Sequence, residues 1–348
     1  MSLPFTSAPQ SLCILRLSAV GDICHALPVV RTLQAHWPDT QITWIIGKLE
    51  AQLVGDIPGI EFIVFDKSRG WRAYRDIRCR LRGRCFDALL HMQMSLRSSF
   101  VNRLVASPVR LGFDRARAKD LQWLFNNAHI PAHTHQHVLD SFFGFAEALG
   151  VEERKLAWDI PIPDEDRRQA ELLLPGDEPT IIVSPCSSMA YRNWHSAGYA
   201  AVCDYAANTY GLRVALTGGP SGIEREMGEQ IIRQCDRPVV NLIGRTNLKQ
   251  LLALLDKALL VISPDSGPAH MATAVNTPVI GLYACTNPDR ARPYFSGDLV
   301  VDEYHKTVRD KYGKDAAQLP WGIRVRDAGT MERITVNDVT GKLDQFMA

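Results

Sequence analysis

Four loops carry residue types from which chemistry is built. Over residues 15–23 an apolar run ends, Gly21 permits a tight turn, and Asp22 stands at a helix start. A carboxylate there either caps the helix or acts as a general base. Over residues 184–194, Ser187, Ser188 and Arg192 join two hydroxyls to a guanidinium, a donor set that suits an anionic diphosphate. A plain polar surface loop has the same composition. Over residues 263–271, Asp265 suits sugar hydroxyls, and Gly267 lets a ligand approach the backbone. Pro268 fits a first helical turn, whose free N–H groups attract phosphate. His270 either faces that phosphate or packs. The fourth loop, over residues 218–222, precedes Glu224, which is either a ribose ligand or part of an ordinary turn.

These residues need a scaffold that brings strand ends together. Apolar runs predict strands over 13–17, 41–46, 61–65, 88–92 and 109–113, with helices over 23–36 and 71–82 between them. The second half repeats the plan, with strands over 180–184, 213–217, 239–243, 259–263 and 279–283. Its helices are predicted over 197–210, 223–234, 248–257 and 269–274, and a last amphipathic one over 335–346. Such alternation predicts parallel sheets covered on both faces, in two Rossmann-like domains. Ligands then bind at the carboxyl ends of strands, where the four loops fall. The chain's 348 residues suit two domains. A Pro-rich, acidic stretch over 160–179 marks the junction, and Asp164-Glu165-Asp166 in it reads as a helix start rather than a metal site.

Several classes are excluded. No G-x-G-x-x-G follows a strand, which argues against a dehydrogenase. Eight scattered cysteines show no C-x-x-C spacing and no accompanying His cluster, which points to a reducing compartment and no zinc site. Residues 1–10 lack the pattern of a signal peptide, and no apolar run approaches the ~20 residues of a membrane span.

Net charge is +1 overall but unevenly placed. Between Lys67 and Lys119 lie 14 Lys or Arg against three Asp, formally +11, which leaves −10 for the rest. A segment this basic suits an anionic acceptor at a membrane surface, or else solvated helix faces. Arg97, Arg115, Arg117 and Lys119 follow strand ends and are the candidates for acceptor contact, and Trp71, Tyr74 and Phe100 are candidates to seat at the interface. No helix-turn-helix, RNP or zinc-finger pattern points to nucleic acid.

Together the loops resemble the ADP-heptose:lipopolysaccharide heptosyltransferase family. The stretch ILRLSAVGDICHALPVVRTLQ is similar to its N-terminal signature, and SPDSGPAHMATAVNTPVIGLYACTNP to its C-terminal one. Between them, SSMAYRNW and GGP resemble the family's donor loops, so the likeness spans nearly the whole chain in order. The pattern is most similar to the first heptosyltransferases, which add heptose to a Kdo residue of the inner core.

The resemblance implies a GT-B fold, with two Rossmann-like domains facing a cleft. Residues 1–160 would bind acceptor, 161–178 form a linker, and 179–334 bind nucleotide sugar. Residues 335–348 would return as a helix onto the first domain. It implies an inverting, metal-independent transfer without a cofactor, from ADP-heptose to Kdo-lipid A, at the cytoplasmic face of the inner membrane. Asp22 would be the catalytic base. Ser187, Ser188 and Arg192 would hold the diphosphate and Asp265 the heptose, with Ser266, Gly267 and His270 around the phosphates. Arg192 stands where the family usually has Lys, and the serines where it has Thr, which keeps the chemistry. Gly222 stands where some members carry Glu, which leaves Glu224 as the ribose candidate and keeps open a transferase using another nucleotide sugar, or a non-catalytic nucleotide-binding relative.

Overall fold

Apolar runs become parallel strands in both halves of the computed structural model, which describes residues 3–348. Met1 and Ser2, the start of the stretch read as lacking a signal peptide, lie outside the described residues. The chain divides into two units between Pro161 and Ile162.

The first unit runs β1 (Ser11–Leu15), α1 (Val20–His36), β2 (Gln41–Gly47), α2 (Lys48–Val54), β3 (Ile60–Phe65), α3 (Trp71–Arg80), β4 (Ala88–His91), α4 (Leu96–Asn102), β5 (Val109–Gly112), β6 (Ala128–His129) and α5 (Val138–Leu149). Its six strands lie in the order β3-β2-β1-β4-β5-β6, all parallel. The side chains of β1 and β4 are buried almost throughout, as helices on both faces require. Ile45, Ile63, Leu89, Ala73, Ile77 and Val101 join strands to α3 and α4 in one core.

The second unit runs α6 (Asp164–Leu173), β7 (Thr180–Val183), α7 (Ser196–Tyr210), β8 (Arg213–Leu216), α8 (Gly222–Gln234), β9 (Val240–Asn241), α9 (Leu248–Lys257), β10 (Leu260–Pro264), α10 (Gly267–Ala274), β11 (Val279–Tyr283), α11 (Pro288–Ala291), β12 (Val301–Asp302), α12 (Tyr304–Tyr312) and α13 (Val336–Met347). Its order, β12-β11-β10-β7-β8-β9, is the winding of the first sheet with every strand number raised by six. In each sheet the winding reverses at one place, between β1 and β4 and between β7 and β10. The topology puts a ligand crevice at that place. Register aligns the strand ends there: Leu15 lies opposite His91, and Val183 opposite Ile262.

The helix start read at Asp164-Glu165-Asp166 opens α6, preceded by Pro163 and with three acids in its first turn, and α6 lies in the second unit. It docks on α9 through Arg167–Asp256 and Glu171–Lys257. The last helix packs on α7 within the second unit. Its Val339 and Leu343 sit in the second unit's core, and Asp344 accepts hydrogen bonds from the Tyr205 and Tyr210 hydroxyls, each 2.8 Å.

Candidate active site

The switch point of the first sheet is built around an arginine. Arg16, just past β1, is buried, and its guanidinium pairs with the half-exposed carboxylate of Asp22. Nη1 of Arg16 donates to the Met92 carbonyl at 2.5 Å, and the guanidinium stacks over Phe142 at 5.3 Å. The carboxylate is therefore held from beneath by a fixed cation while its upper side meets solvent. Asp22 is not the cap residue itself: Ala19 is, and Asp22 reaches back to the Ala19 N–H at 3.4 Å. Helix and site thus use the same side chain.

Gln93, in the loop after β4, clamps this turn. Its Oε1 accepts from the Leu17 N–H at 2.6 Å, and its Nε2 donates to the Ser18 hydroxyl at 3.1 Å. A buried polar network fixes Gln93 in turn. Gln122 Nε2 donates to the carbonyls of His91 and Gln93, and the Ser98 hydroxyl donates to that of Gln93. His91 lies within hydrogen-bond distance of Ser98, Asn102 and Asn126, and burial pulls its pKa down to about 4, so the ring is neutral near pH 7. Glu50 of α2 is a second buried carboxyl close by. Burial pushes its pKa up, against the opposing pull of its own backbone N–H and of Lys67 and Arg16. A side chain at Gly47 would meet both Glu50 and the Leu17 carbonyl, so glycine is required at the end of β2.

The acceptor candidates occupy two places in the first unit. Arg97 is exposed on α4 and lines a cavity of about 340 Å³ with Lys67, Trp71, Tyr74 and Phe100. The other three lie in the loop after β5. Arg115 is exposed and stacks on Trp123 at 4.9 Å, and Lys119 is exposed. Arg117 is committed internally. It pairs with Asp114 and donates to Gln136 Oε1, the Ser141 hydroxyl and the Pro131 carbonyl at 3.0, 2.8 and 2.5 Å.

The switch point of the second sheet gathers Arg192, Asp265, His270 and Thr286. Arg192 Nη1 lies 3.0 Å from Asp265 Oδ2 and donates to the Asp265 carbonyl at 3.1 Å. His270 Nε2 is 3.8 Å from Oδ1. Burial opposes ionisation of Asp265, but His270, Arg192 and the Thr286 hydroxyl together hold its pKa below the usual carboxylate value. Ser266 stands at the N-cap position of α10 without a side-chain capping bond; the helix's first residue is Gly267, and its second, Pro268, has no N–H. The Ser266 hydroxyl bonds that of Ser263 at 2.7 Å. Ser187 donates its N–H to Asn193 Oδ1 at 2.7 Å and accepts from the Met189 N–H at 3.2 Å, while Ser188 is exposed. Burial pushes the Cys186 thiol in this loop up to about 12, so it carries no thiolate.

Glu224 stays with its own loop. Its carboxylate accepts from the Gly219 N–H at 2.5 Å and the Ser221 hydroxyl at 3.0 Å, closing the turn before α8. Sequence reading missed Arg16, Gln93, Glu50 and Thr286. A charged residue inside the apolar stretch ILRLS was the available signal for Arg16. Thr286 and Asn287 line a small recess with Asp265, Arg290 and Arg324. No group of three or more His, Cys, Asp or Glu among the described residues could hold a metal ion.

A family model for glycosyltransferase family 9 (heptosyltransferase) matches residues 74–322. The lipopolysaccharide core heptosyltransferase OpsX of Haemophilus influenzae is 42% identical over 98% of both chains. Lipopolysaccharide heptosyltransferase 1 of Pseudomonas aeruginosa is 24% identical over 79% of both, so the likeness is not specific to the first heptosyltransferases. Among solved structures, a glycosyl transferase family 9 protein of Veillonella parvula superposes with a TM-score of 0.80 at 21% identity, covering 97% of both chains. The E. coli heptosyltransferase WaaC with ADP does so at 0.73 and 19%, covering 97% of this chain and 99% of that one. The two Rossmann-like units are those of the GT-B glycosyltransferases, and the chain belongs to glycosyltransferase family 9, the heptosyltransferases.

Proposed function

We propose that this chain builds the lipopolysaccharide core, transferring heptose from ADP-heptose to a Kdo residue of Kdo-lipid A with inversion and without a metal ion. The observation that carries the reading is the half-exposed Asp22 carboxylate held by buried Arg16 at the first sheet's switch point. Relatives support the substrates: OpsX is a lipopolysaccharide core heptosyltransferase, and WaaC is solved with ADP and with ADP-2-deoxy-2-fluoro heptose.

Asp22 takes the proton of the acceptor hydroxyl as its oxygen attacks the anomeric carbon. The bond from that carbon to the diphosphate breaks on the opposite side, and ADP leaves with the electron pair. A placed base contributes ~10²–10⁴-fold. ADP leaves without strong protonation, so no second catalytic carboxylate is required. Ser187, Ser188 and Arg192 donate to the diphosphate, with Ser266, the Gly267 backbone and His270 beside them. Asp265, ionised and fixed by Arg192, accepts from the heptose hydroxyls. Arg97, Arg115 and Lys119 are exposed to meet the acceptor's anionic groups, and Arg117 shapes the loop that carries two of them. The enzyme works at the cytoplasmic face of the inner membrane as a peripheral protein. No helix among the described residues is long and apolar enough to cross a membrane.

The test is ADP release from ADP-heptose with Kdo-lipid A, comparing wild type with Asp22→Asn. Acceptor-dependent release that drops ~10²–10⁴-fold in the variant, with ADP binding kept, is expected. Near-normal turnover of the variant would sink the role of Asp22, and no release with any Kdo acceptor would sink the reaction. The commitment of Glu224 to its own turn favours one second reading, a different nucleotide as donor. Tight binding of UDP or GDP but not ADP would establish it.

A further inference from the structure

Helix α3 has a face that neither the core nor the candidate active site uses. Ala73 and Ile77 point into the first unit's core. At roughly 100° per residue, Trp71, Arg72, Arg75, Arg78 and Cys79 fall within about 60° of the opposite pole. All five are exposed. Trp71 is 79% exposed, an unusual position for the side chain with most apolar area to lose. The helix's one carboxylate, Asp76, is half-buried and paired with Arg69. Arg82, just past the helix end, is exposed as well.

The neighbouring surface continues the pattern. Trp71 packs on Tyr74 with ring centroids 5.4 Å apart. Both line the cavity between α3 and α4, with Phe65 and Phe100 as further aromatic walls and Lys67 at its edge. On α4, Leu96 and Phe100 are also exposed. The pole of α3 offers no Asn, Gln, Ser, Thr or unpaired carboxylate, so it has strong donors but no strong acceptor for a sugar hydroxyl, a set that suits anionic oxygens. Guanidinium groups around an exposed indole suit phosphate headgroups above and apolar chain below.

We propose that the outer face of α3 is a membrane-docking surface: Trp71 inserts at the interface of an anionic phospholipid bilayer, and Arg72, Arg75 and Arg78 bind its headgroup phosphates. The inference rests on the proposed function in one respect, since a lipid-anchored acceptor gives the docking its use. Arg97, assigned above to the acceptor, lies on the same cavity. Docking would therefore hold the acceptor half-site close to the surface from which the acceptor projects.

The experiment measures binding of the full chain to vesicles of phosphatidylglycerol with phosphatidylcholine, against phosphatidylcholine alone, with no acceptor present. Wild type is expected to bind the anionic vesicles and to release them as salt is raised. The triple variant Arg72→Gln, Arg75→Gln, Arg78→Gln should bind on the order of a hundredfold more weakly, about fivefold per arginine. Trp71→Ala should lose about tenfold. Thermal melts check folding of both variants, and turnover with a water-soluble, deacylated Kdo acceptor should stay at the wild-type level in the triple variant. Equal binding to neutral vesicles, or anionic binding untouched in the triple variant, would overturn the docking surface. So would loss of turnover on the deacylated acceptor, because the arginines would then belong to the acceptor site. Vesicle binding by a wild type that turns over no acceptor would support the surface while removing the reaction assigned to the chain.

Discussion

At the first sheet's switch point Asp22 is 39% exposed over an Arg16 that is 8% exposed, whereas at the second's Asp265 and Arg192 are both 13% exposed. The two sheets are wound alike, and both place an arginine–carboxylate pair where the winding reverses. The depth of the carboxylate differs, and so do the groups around it. A half-exposed carboxylate fixed from below can still meet a substrate proton. A buried one, ringed by Arg192, His270 and Thr286, is kept ionised as an acceptor and taken out of proton traffic. One topology thus carries a solvent-facing carboxylate in one unit and an enclosed, ionised one in the other, and depth and partners together make the difference.

The largest effect that would sharpen this contrast is on stability. Asp265→Ala leaves the Arg192 guanidinium buried without its anion, which costs about 3–5 kcal/mol. Asp22→Asn also takes the anion from a buried guanidinium, but its amide oxygen remains as an acceptor at a half-exposed position that solvent reaches, so it should cost less, about 1–2 kcal/mol. Hydrogen exchange read separately over the two units measures both. Comparable losses in the two variants would erase the distinction drawn from exposure.

Acid should separate the units as well. The native pKa of His91 near 4 lies below its unfolded value of ~6.5, so its contribution is complete above about pH 6.5 and is lost as pH falls towards 4. A shift of that size amounts to about 3 kcal/mol, all of it in the first unit. Asp265 also has a depressed pKa, so its contribution holds above the unfolded carboxylate value of ~3.9 and fails only below that. The first unit should therefore loosen between pH 6.5 and 4 while the second persists. His91→Gln should flatten that limb. Simultaneous loosening of both units would contradict it.

Much of this architecture was legible because parallel strands buried on both faces appear as unbroken apolar runs. The sequence reading located ten of the strands to within two or three residues at each end. It missed β6 and β12, each only two residues long; β9 is as short, but the longer apolar run over 239–243 marked it. The amphipathic pattern of α13 announced a buried face but not its partner α7, because a helix's own period says nothing of what covers it. Asp22, Arg192 and Asp265 were legible because loops after strands are where charged residues stand out. Arg16 was not, because its side chain turns back under the turn to reach Met92 and Asp22. Arg117 looked like a free cation because its partners Gln136, Ser141 and Pro131 come from a later segment.

A smaller effect tests how the turn bearing Asp22 is held. Gln93→Ala removes two bonds to the turn, one to the Leu17 N–H and one to Ser18. At about 1 kcal/mol each, only part of which reaches the transition state, kcat should fall about tenfold. ADP binding, which belongs to the second unit, should not change. Gln93→Glu keeps the acceptor for Leu17 and should recover part of the loss. A fall in nucleotide affinity instead of kcat would detach Gln93 from the Asp22 turn.

The smallest effect concerns the residue whose two readings are hardest to separate. Glu224 is engaged by the Gly219 N–H and the Ser221 hydroxyl, which tie it to the turn before α8. If that is all it does, Glu224→Gln keeps an acceptor in place, costs about 0.5 kcal/mol, and leaves ADP affinity within about twofold. If a ribose hydroxyl also bonds the carboxylate, the same change removes a charge-assisted bond of about 1.5–3 kcal/mol, and ADP affinity falls by tenfold or more. Calorimetry with ADP separates these outcomes. The first would mean that the second unit recognises its nucleotide through the loops at its switch point, and that the turn before α8 serves only to start a helix.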